Sequence, residues 1–561
     1  MSIRWSCPLL LAAWLANPQT PPDQVVIQAG THVVTVNVVV KDKHEKPVDD
    51  LSREDFILQD NGQPQKIAFF ALERAETAAS VSTPLPLTFT NRPGPSSTAA
   101  TVFLFDELNT QLTDQELAKK DFLRYLRKLP ADSRVAVFVL GDSLSMLHDF
   151  SQDMASLLAA IGKHSSRVNP EVQAVTEPAA SANSLTGDQT TTSQWNNFLR
   201  SSNQPYVDYT ETVRATRTAA ALRIIAGHLQ GIPGRKTLIW ISGGFPIQLG
   251  LRNRVDSTPQ SDSGSRSRNR SDSEKGASTS RVKTQPSSTT PNTSLTLDLP
   301  GSGLSFENDV ERAVQALNES DVAVYPLDAR GVMVAPAFQA DRNSMGKRSK
   351  PSKSAFSPNY NYETLETLAE QTGGRAFHNI NDLSIAIEQA QSDTKVSYAL
   401  AFVPAAAALD GSYHRLEVTV KRPGVKLRYR PGYVAARDTA VAPPLAEAIA
   451  NPVALAGIGF TVHLEPVEGG YKASMTIDAR NITLEPKDGK WSGALQFLVL
   501  VGKVEQLTTI PLSFTDATLH QIQDRGLVMG ARVKTPPGTT GFSVGFRDIP
   551  SGIVGTLHVP L

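Results

Sequence analysis

The sequence predicts an α/β protein built on an open, doubly wound, mostly parallel sheet, with a small N-terminal β-module before it and a C-terminal β-sandwich after it. Three observations predict this. Between residues 99 and 403, short and continuously apolar runs alternate with helical patterns, as strands do when helices cover both faces of a sheet. Val34, Val36, Val38 and Val40 recur at a spacing of two, which is strand periodicity. After residue 453, short apolar runs recur between Gly, Pro and Asp turns, the pattern of a sandwich. A chain of 561 residues is too long for one core, so several domains are expected.

Taken in order, Arg4 precedes an apolar run over 8–15, and Ala16-Asn17-Pro18 opens a polar stretch. This layout predicts a signal peptide in residues 1–22 and export to the periplasm or beyond. The run is too short to span a bilayer, and no later segment is long and apolar enough. The N-terminal β-module is expected over 25–75. Its Asp60-Asn61-Gly62 predicts a hairpin between 57–59 and 67–70, because Asn and Gly accept positive φ. Residues 76–98, rich in Ala, Ser, Thr and Pro, read as a linker.

The α/β region opens on the strand 101–105, which ends in Asp106-Glu107-Leu108-Asn109-Thr110. A helix over 114–129 follows, with Ala118, Phe122, Tyr125 and Leu126 at helical spacing. Next come a buried strand at 135–140, an edge strand at 146–150 and helices at 153–161 and 210–229. The chain continues through Pro233-Gly234-Arg235 into a strand at 237–241, a helix at 308–318 and a strand at 322–327. A helix at 364–372 stops at Gly373-Gly374, Asp382 caps another, and 398–403 reads as a further strand. Polar inserts interrupt the region near 165–208, 251–300 and 331–358. The second is rich in Ser and Arg and predicts disorder. Residues 404–436 read as a β-extension with a hairpin around 421–424. Residues 437–450 read as a linker with an Ala-rich turn, and 453–561 as the C-terminal β-domain.

Composition excludes several function classes. Lys and Arg total 55 and Asp and Glu total 55, so the basic excess of a nucleic-acid binder is missing. One cysteine excludes disulfide scaffolds and thiolate metal centres, and it precedes the apolar run, so a cleaved chain has none. There is no P-loop and no His-Glu-x-x-His. Gly141-Asp142-Ser143-Leu144-Ser145 lacks the second Gly of a nucleophile elbow, and the Ser-x-x-Lys strings at 344–353 lie in a polar insert. No enzyme is expected.

Several pieces together resemble the von Willebrand factor type A domain. They are Leu104-Phe105-Asp106-Glu107-Leu108-Asn109-Thr110, Pro233-Gly234-Arg235-Lys236 through Ser242-Gly243-Gly244-Phe245-Pro246, Gly373-Gly374-Arg375 and Arg428-Tyr429-Arg430-Pro431-Gly432-Tyr433. With the Asp60-Asn61-Gly62 module, the chain is similar to the VWFA-related family of secreted proteins abundant in acidobacteria. The resemblance implies a metal-ion-dependent adhesion site that holds Mg²⁺ or a similar hard cation by oxygen ligands and recognises a protein partner. Carried over residue by residue, Asp106 matches the first Asp and Thr110 the second hydroxyl. Thr216 or Thr218 falls where a second-loop Thr would lie, and Thr216 is taken as the ligand. Leu108 replaces the first hydroxyl, and Ser242-Gly243 stands where an Asp would precede Gly. Asn109 and Ser242, with Glu107 and Asp142, are candidate compensating ligands. The implied site is degenerate and its divalent cation weakly held, and a strand-terminal Asp that caps its own turn is the metal-free alternative. The functional expectation is an exported protein-interaction or adhesion module. Its alternatives are a metal-free scaffold making contacts through its β-domains and, remotely, an unrecognised serine hydrolase.

Overall fold

The computed structural model describes residues 33–74, 87–92, 100–129, 135–151, 154–167, 189–232, 234–245, 305–331, 360–380, 382–405, 411–435, 444–451, 453–502 and 504–561. The expected signal peptide, the Ser/Arg-rich insert, the Ser-x-x-Lys strings and residues 168–188 lie outside the described residues.

Five short strands come first: β1 (Val34–Lys41), β2 (Phe56–Asp60), β3 (Gln63–Gln65), β4 (Phe69–Arg74) and β5 (Thr88–Thr90). The α/β region then runs β6 (Ala100–Asp106), α1 (Leu112–Leu126), β7 (Val135–Leu140), β8 (Leu144–Ser151), α2 (Met154–Lys163), α3 (Gln189–Leu229), β9 (Lys236–Ser242), α4 (Ser305–Glu319), β10 (Val322–Asp328), α5 (Tyr360–Gln371) and α6 (Leu383–Ser392). Its sheet has the order β10-β9-β6-β7-β8. The first four are parallel neighbours and β8 is an antiparallel edge.

Alternation along β6 explains the two helix layers. Val102 and Leu104 face a core shared with Ala219, Leu222 and Ile225 of α3, Leu317 of α4 and Leu368 of α5. Phe103, of opposite parity, faces a core shared with Phe122 and Leu126 of α1, Leu157 of α2 and Ile387 of α6. From β6 the chain steps to β7 on one side and later returns to β9 on the other. The strand order therefore reverses between β6 and β9, and Asp106 and Ser242 end there side by side. In open α/β sheets that crevice is where ligands bind.

The structure corrects the expected boundaries at both ends of this region. β11 (Val396–Phe402) does not join the parallel sheet; it pairs antiparallel with β1 and β4. With β12 (Tyr413–Val420), β13 (Lys426–Arg428) and β14 (Gly432–Val434) it completes two sheets, β13-β1-β11-β4 and β14-β12-β2-β3. The N-terminal module is thus a sandwich drawn from both sides of the α/β region. Residues 413–420 and 426–428 lie in different sheets, so the hairpin expected around 421–424 does not form. Asn61 and Gly62, at φ 48° and 76°, do make a hairpin turn, but its second strand is β3, while 69–74 crosses to the other sheet. The expected linker 76–98 contributes β5.

The remaining chain forms α7 (Leu445–Ile449), β15 (Phe460–Val467), β16 (Gly470–Ile477), β17 (Glu485–Lys487), β18 (Lys490–Val501), β19 (Val504–Phe514), α8 (Asp516–Arg525), β20 (Leu527–Lys534), β21 (Gly541–Asp548) and β22 (Val554–Pro560). One sheet runs β20-β16-β15-β5, so β5 belongs to this domain. The other runs β17-β18-β21-β22, with β19 on the outer side of β18. Phe460, Met475, Leu495 and Phe546 lie in the core between them. Among the described residues, no helix is long and apolar enough to cross a membrane.

A buried ionic seam joins the N-terminal sandwich to the α/β layer. Arg235, at the start of β9, donates to the carbonyls of Gly373 (2.6 Å) and Asn37 (3.3 Å). Asp393 is fully buried and pairs with Lys41 of β1 and with Arg428 of β13 at 2.6 Å, while Tyr325 donates to it at 3.1 Å. Burial pushes the Asp393 carboxyl up, but Arg428, Lys41 and Arg235 outweigh that and hold it below its usual range. Arg430 donates to the carbonyls of Asn318 and Thr35.

Candidate functional site

Asp106 ends the central strand and is 2 % exposed. A carboxylate buried this far must be satisfied from within the protein. Its Oδ1 accepts from the Asn109 backbone N–H (3.0 Å) and from Asn109 Nδ2 (3.1 Å). Its Oδ2 accepts from Asn109 Nδ2 (2.9 Å), Trp240 Nε1 (3.1 Å) and Ser242 Oγ (2.8 Å). Burial pushes its pKa up; the donors from Asn109, Ser242 and Trp240 act against this, and the balance remains raised.

Asn109 links this carboxylate to α3. Its Nδ2 also donates to Thr218 Oγ1 at 2.9 Å, and Thr218 Oγ1 donates to the Arg214 carbonyl at 2.8 Å. Arg214 Nε in turn donates to Asn109 Oδ1 at 3.0 Å. Thr110 Oγ1 accepts the Gly243 N–H at 2.8 Å, which ties the turn after β6 to the turn after β9. Gly243 is needed there, because a Cβ on it would lie 2.8 Å from the Asn109 carbonyl oxygen.

The candidate ligands thus fall into three groups. Asp106, Asn109, Thr110 and Ser242 come together at the ends of β6 and β9. Thr216 does not join them: it is exposed on α3, whereas Thr218 is buried against Asn109. Glu107 and Asp142 also lie elsewhere. Glu107 pairs with His164 at 2.7 Å, and Asp142 is exposed in the β7–β8 turn, 3.9 Å from Arg217. Ser143 is exposed in that same turn.

The residues that sequence reasoning did not single out are Trp240 and Arg214. A Trp within a fully buried strand has an indole N–H that requires an acceptor, and this is the signal that could have pointed to it. Arg214 lies four residues before Thr218, on the same helix face, which is the spacing at which side chains meet.

The side chains present do not fit a resident hard cation, which takes about six oxygen ligands. Leu108, at the first hydroxyl position, is fully buried in the apolar core, and its N–H is bound to the Leu140 carbonyl. Both Asp106 oxygens, the Thr110 hydroxyl and the Thr218 hydroxyl already engage N–H donors of the chain itself. Among the described residues, no group of three or more His, Cys, Asp or Glu side chains is placed to hold a metal.

A slot opens beside the site, lined by Phe105, Glu107, Gln115, Lys119, Ile161 and His164. Gln115 Nε2 donates to the carbonyls of Thr110 (2.8 Å), Glu107 (3.2 Å) and Arg167 (3.2 Å) and so fixes the loop after β6.

No protein-family model matches this sequence, and a search of curated proteins finds none similar. Among solved structures, the chain is similar to an aerotolerance-related membrane protein from Bacteroides fragilis at 11% identity and a TM-score of 0.22, over 53% of this chain and 99% of that one. It is also similar to a von Willebrand factor type A protein from Catenulispora acidiphila at 10% identity and a TM-score of 0.24, over 81% of this chain and 76% of that one.

Proposed function

We propose that this chain is an exported protein-interaction module of the von Willebrand factor A-like kind. The α/β layer meets its partner at the rim where β6, β7 and β9 end. One observation carries this reading: the loops at the strand-order reversal are held rigid by buried side chains, while polar groups of both signs stand outward beside them. Asp142 and Thr216 are exposed, and Asp142 lies close to the half-buried Arg217. A rigid scaffold with exposed loop residues is a common basis for recognition. No catalytic role is proposed for Ser143.

The test is capture from an envelope extract by the full chain, by a Asp142→Ala, Thr216→Ala, Arg217→Ala variant, and by a Val528→Ser control on the C-terminal domain. The expected result is a bound protein that the rim variant loses and the control keeps. Capture unchanged by the rim variant would contradict the proposal. Cleavage within residues 1–22 in material recovered outside the cytoplasm would support export, whereas an uncleaved cytoplasmic chain would oppose it.

A second reading, a scaffold acting through its β-domains, has its own support. Arg235, Gly373 and Arg430, which lie in the segments that carry the family resemblance, converge on the buried seam and not on the rim. Capture lost only when the C-terminal domain is altered would favour that reading.

A further inference from the structure

We infer that the side-chain amide of Asn109 takes the place of the divalent cation that the von Willebrand factor A resemblance implies, so that the rim is built without a metal. This stands independently of which partner the rim meets. Asn109 Nδ2 lies within 3.1 Å of both Asp106 oxygens and 2.9 Å from Thr218 Oγ1. It therefore bridges the carboxylate to the helix hydroxyl, oxygens that a hard cation would otherwise join.

The orientation of the amide follows from its neighbours. Arg214 Nε can only donate, so the atom facing it is the carbonyl Oδ1. The two hydrogens of Nδ2 then face acceptors: the Asp106 carboxylate and the Thr218 hydroxyl. The Thr218 hydrogen is free for the Arg214 carbonyl. Donors and acceptors match around the whole ring, and a flipped amide would set Oδ1 against the carboxylate. The guanidinium of Arg214, 6 % exposed, is hydrogen-bonded to the amide that holds the carboxylate. A buried anion is stable only when paired or well bonded, and this ring supplies the bonds. Leu108, buried where a ligating hydroxyl is implied, removes a competing ligand.

If the amide plugs a cation position, removing it should open that position. The remaining Asp106, Thr110, Thr218 and Ser242 oxygens, completed by water, are a hard-cation set. The experiment is thermal melting of the full chain with millimolar Mn²⁺, with Mg²⁺ and with chelator. The wild-type chain is expected to melt at the same temperature in all three. Asn109→Gly is expected to melt lower and to regain about 3–5 °C in Mn²⁺, as a ligand that binds only the folded state produces. Asn109→Gly with Asp106→Asn should show no Mn²⁺ response. Should the glycine variant not fold, Asn109→Asp replaces it. That variant sets a second carboxylate against Asp106 and should likewise melt lower and be rescued by Mn²⁺. A wild-type melting temperature that rises with Mn²⁺ or falls with chelator would overturn the inference. So would a folded Asn109 variant that does not respond to the metal.

Discussion

Asp106 illustrates how burial decides the role of a side chain. A strand-terminal carboxylate that is 2 % exposed and ringed by N–H and O–H donors is held by the protein. Each buried hydrogen bond of this kind contributes about 1–3 kcal/mol against the cost of leaving its partner unmade. The threonines on α3 test the ring most sharply. Thr218→Val removes a hydroxyl that accepts from Asn109 and donates to Arg214, so chemical denaturation should show a loss of about 1–3 kcal/mol. Thr216→Val, on the exposed face, should change stability by no more than about 0.5 kcal/mol. Helix periodicity in the sequence could have separated these two residues. Ala215, Ala219, Leu222 and Ile225 mark the buried stripe, and Thr218 lies on it whereas Thr216 is half a turn away. Asp106, Thr110 and Ser242 were picked out by the resemblance, and the chain folds so that Ser242 donates to Asp106 and Thr110 accepts from the Gly243 N–H. The Asn109 amide, sitting amid the oxygens instead of supplementing them, was not, since side-chain direction within a five-residue turn is set by packing.

Individual strands and helices were readable, but their partners were not. The run at 396–402 has the same apolar texture as the parallel strands because it too is covered on both faces, yet it pairs with β1 and β4 across more than three hundred residues. Local pattern carries no information on pairing over such separations. Likewise β5 is three residues in a polar stretch, too short for periodicity to register, and it is fixed by pairing with β15. Glycine carried a clearer message at the end of α5. Gly373 adopts φ 72°, as expected of a helix stop, but Gly374 has a different role. A Cβ at Gly374 would lie 1.9 Å from the Val324 carbonyl oxygen, in the middle of β10. Gly374→Ala should therefore cost about 2–4 kcal/mol by forcing a helix end away from β10, an outer strand of the parallel sheet, read as a lowered denaturation midpoint. A change below about 0.5 kcal/mol would show that the segment moves aside freely.

On the scale of the whole molecule, two docked junctions hold the α/β layer between its sandwiches. One is the ionic seam around Asp393. The other is where the end of α3 meets the approach to the C-terminal domain: the Ala456 N–H donates to the Gly227 carbonyl, and His228 bonds the Ala454 carbonyl at 2.6 Å and Asp149 at 3.3 Å. Both partners of His228 accept, so the imidazolium satisfies both and the neutral ring only one. Burial opposes the charge, but the bond to Asp149, its charge and the Ala454 carbonyl raise the pKa above the ordinary value. His148 lies near Asp149, and a cleft of about 220 Å³ lined by Arg92, Asp149, His228 and His558 opens beside the junction. A raised folded pKa gives stability that is complete below the unfolded value of about 6.5 and is lost as pH rises through the folded value. The protection factor of the Ala456 amide in hydrogen exchange should therefore fall as pH rises above about 6.5, and His228→Gln should flatten that dependence. An unaltered slope in the variant would assign the effect to another group.

The central claim, that the rim is closed by the chain's own side chains and not by an ion, is most directly tested by anomalous diffraction from crystals grown in millimolar MnCl₂. The account predicts no anomalous peak beside Asp106, with Asn109 Nδ2 in hydrogen-bond contact with both carboxylate oxygens. A peak about 2.1–2.2 Å from an Asp106 oxygen and from Thr110 Oγ1, with Asn109 turned away, would contradict it.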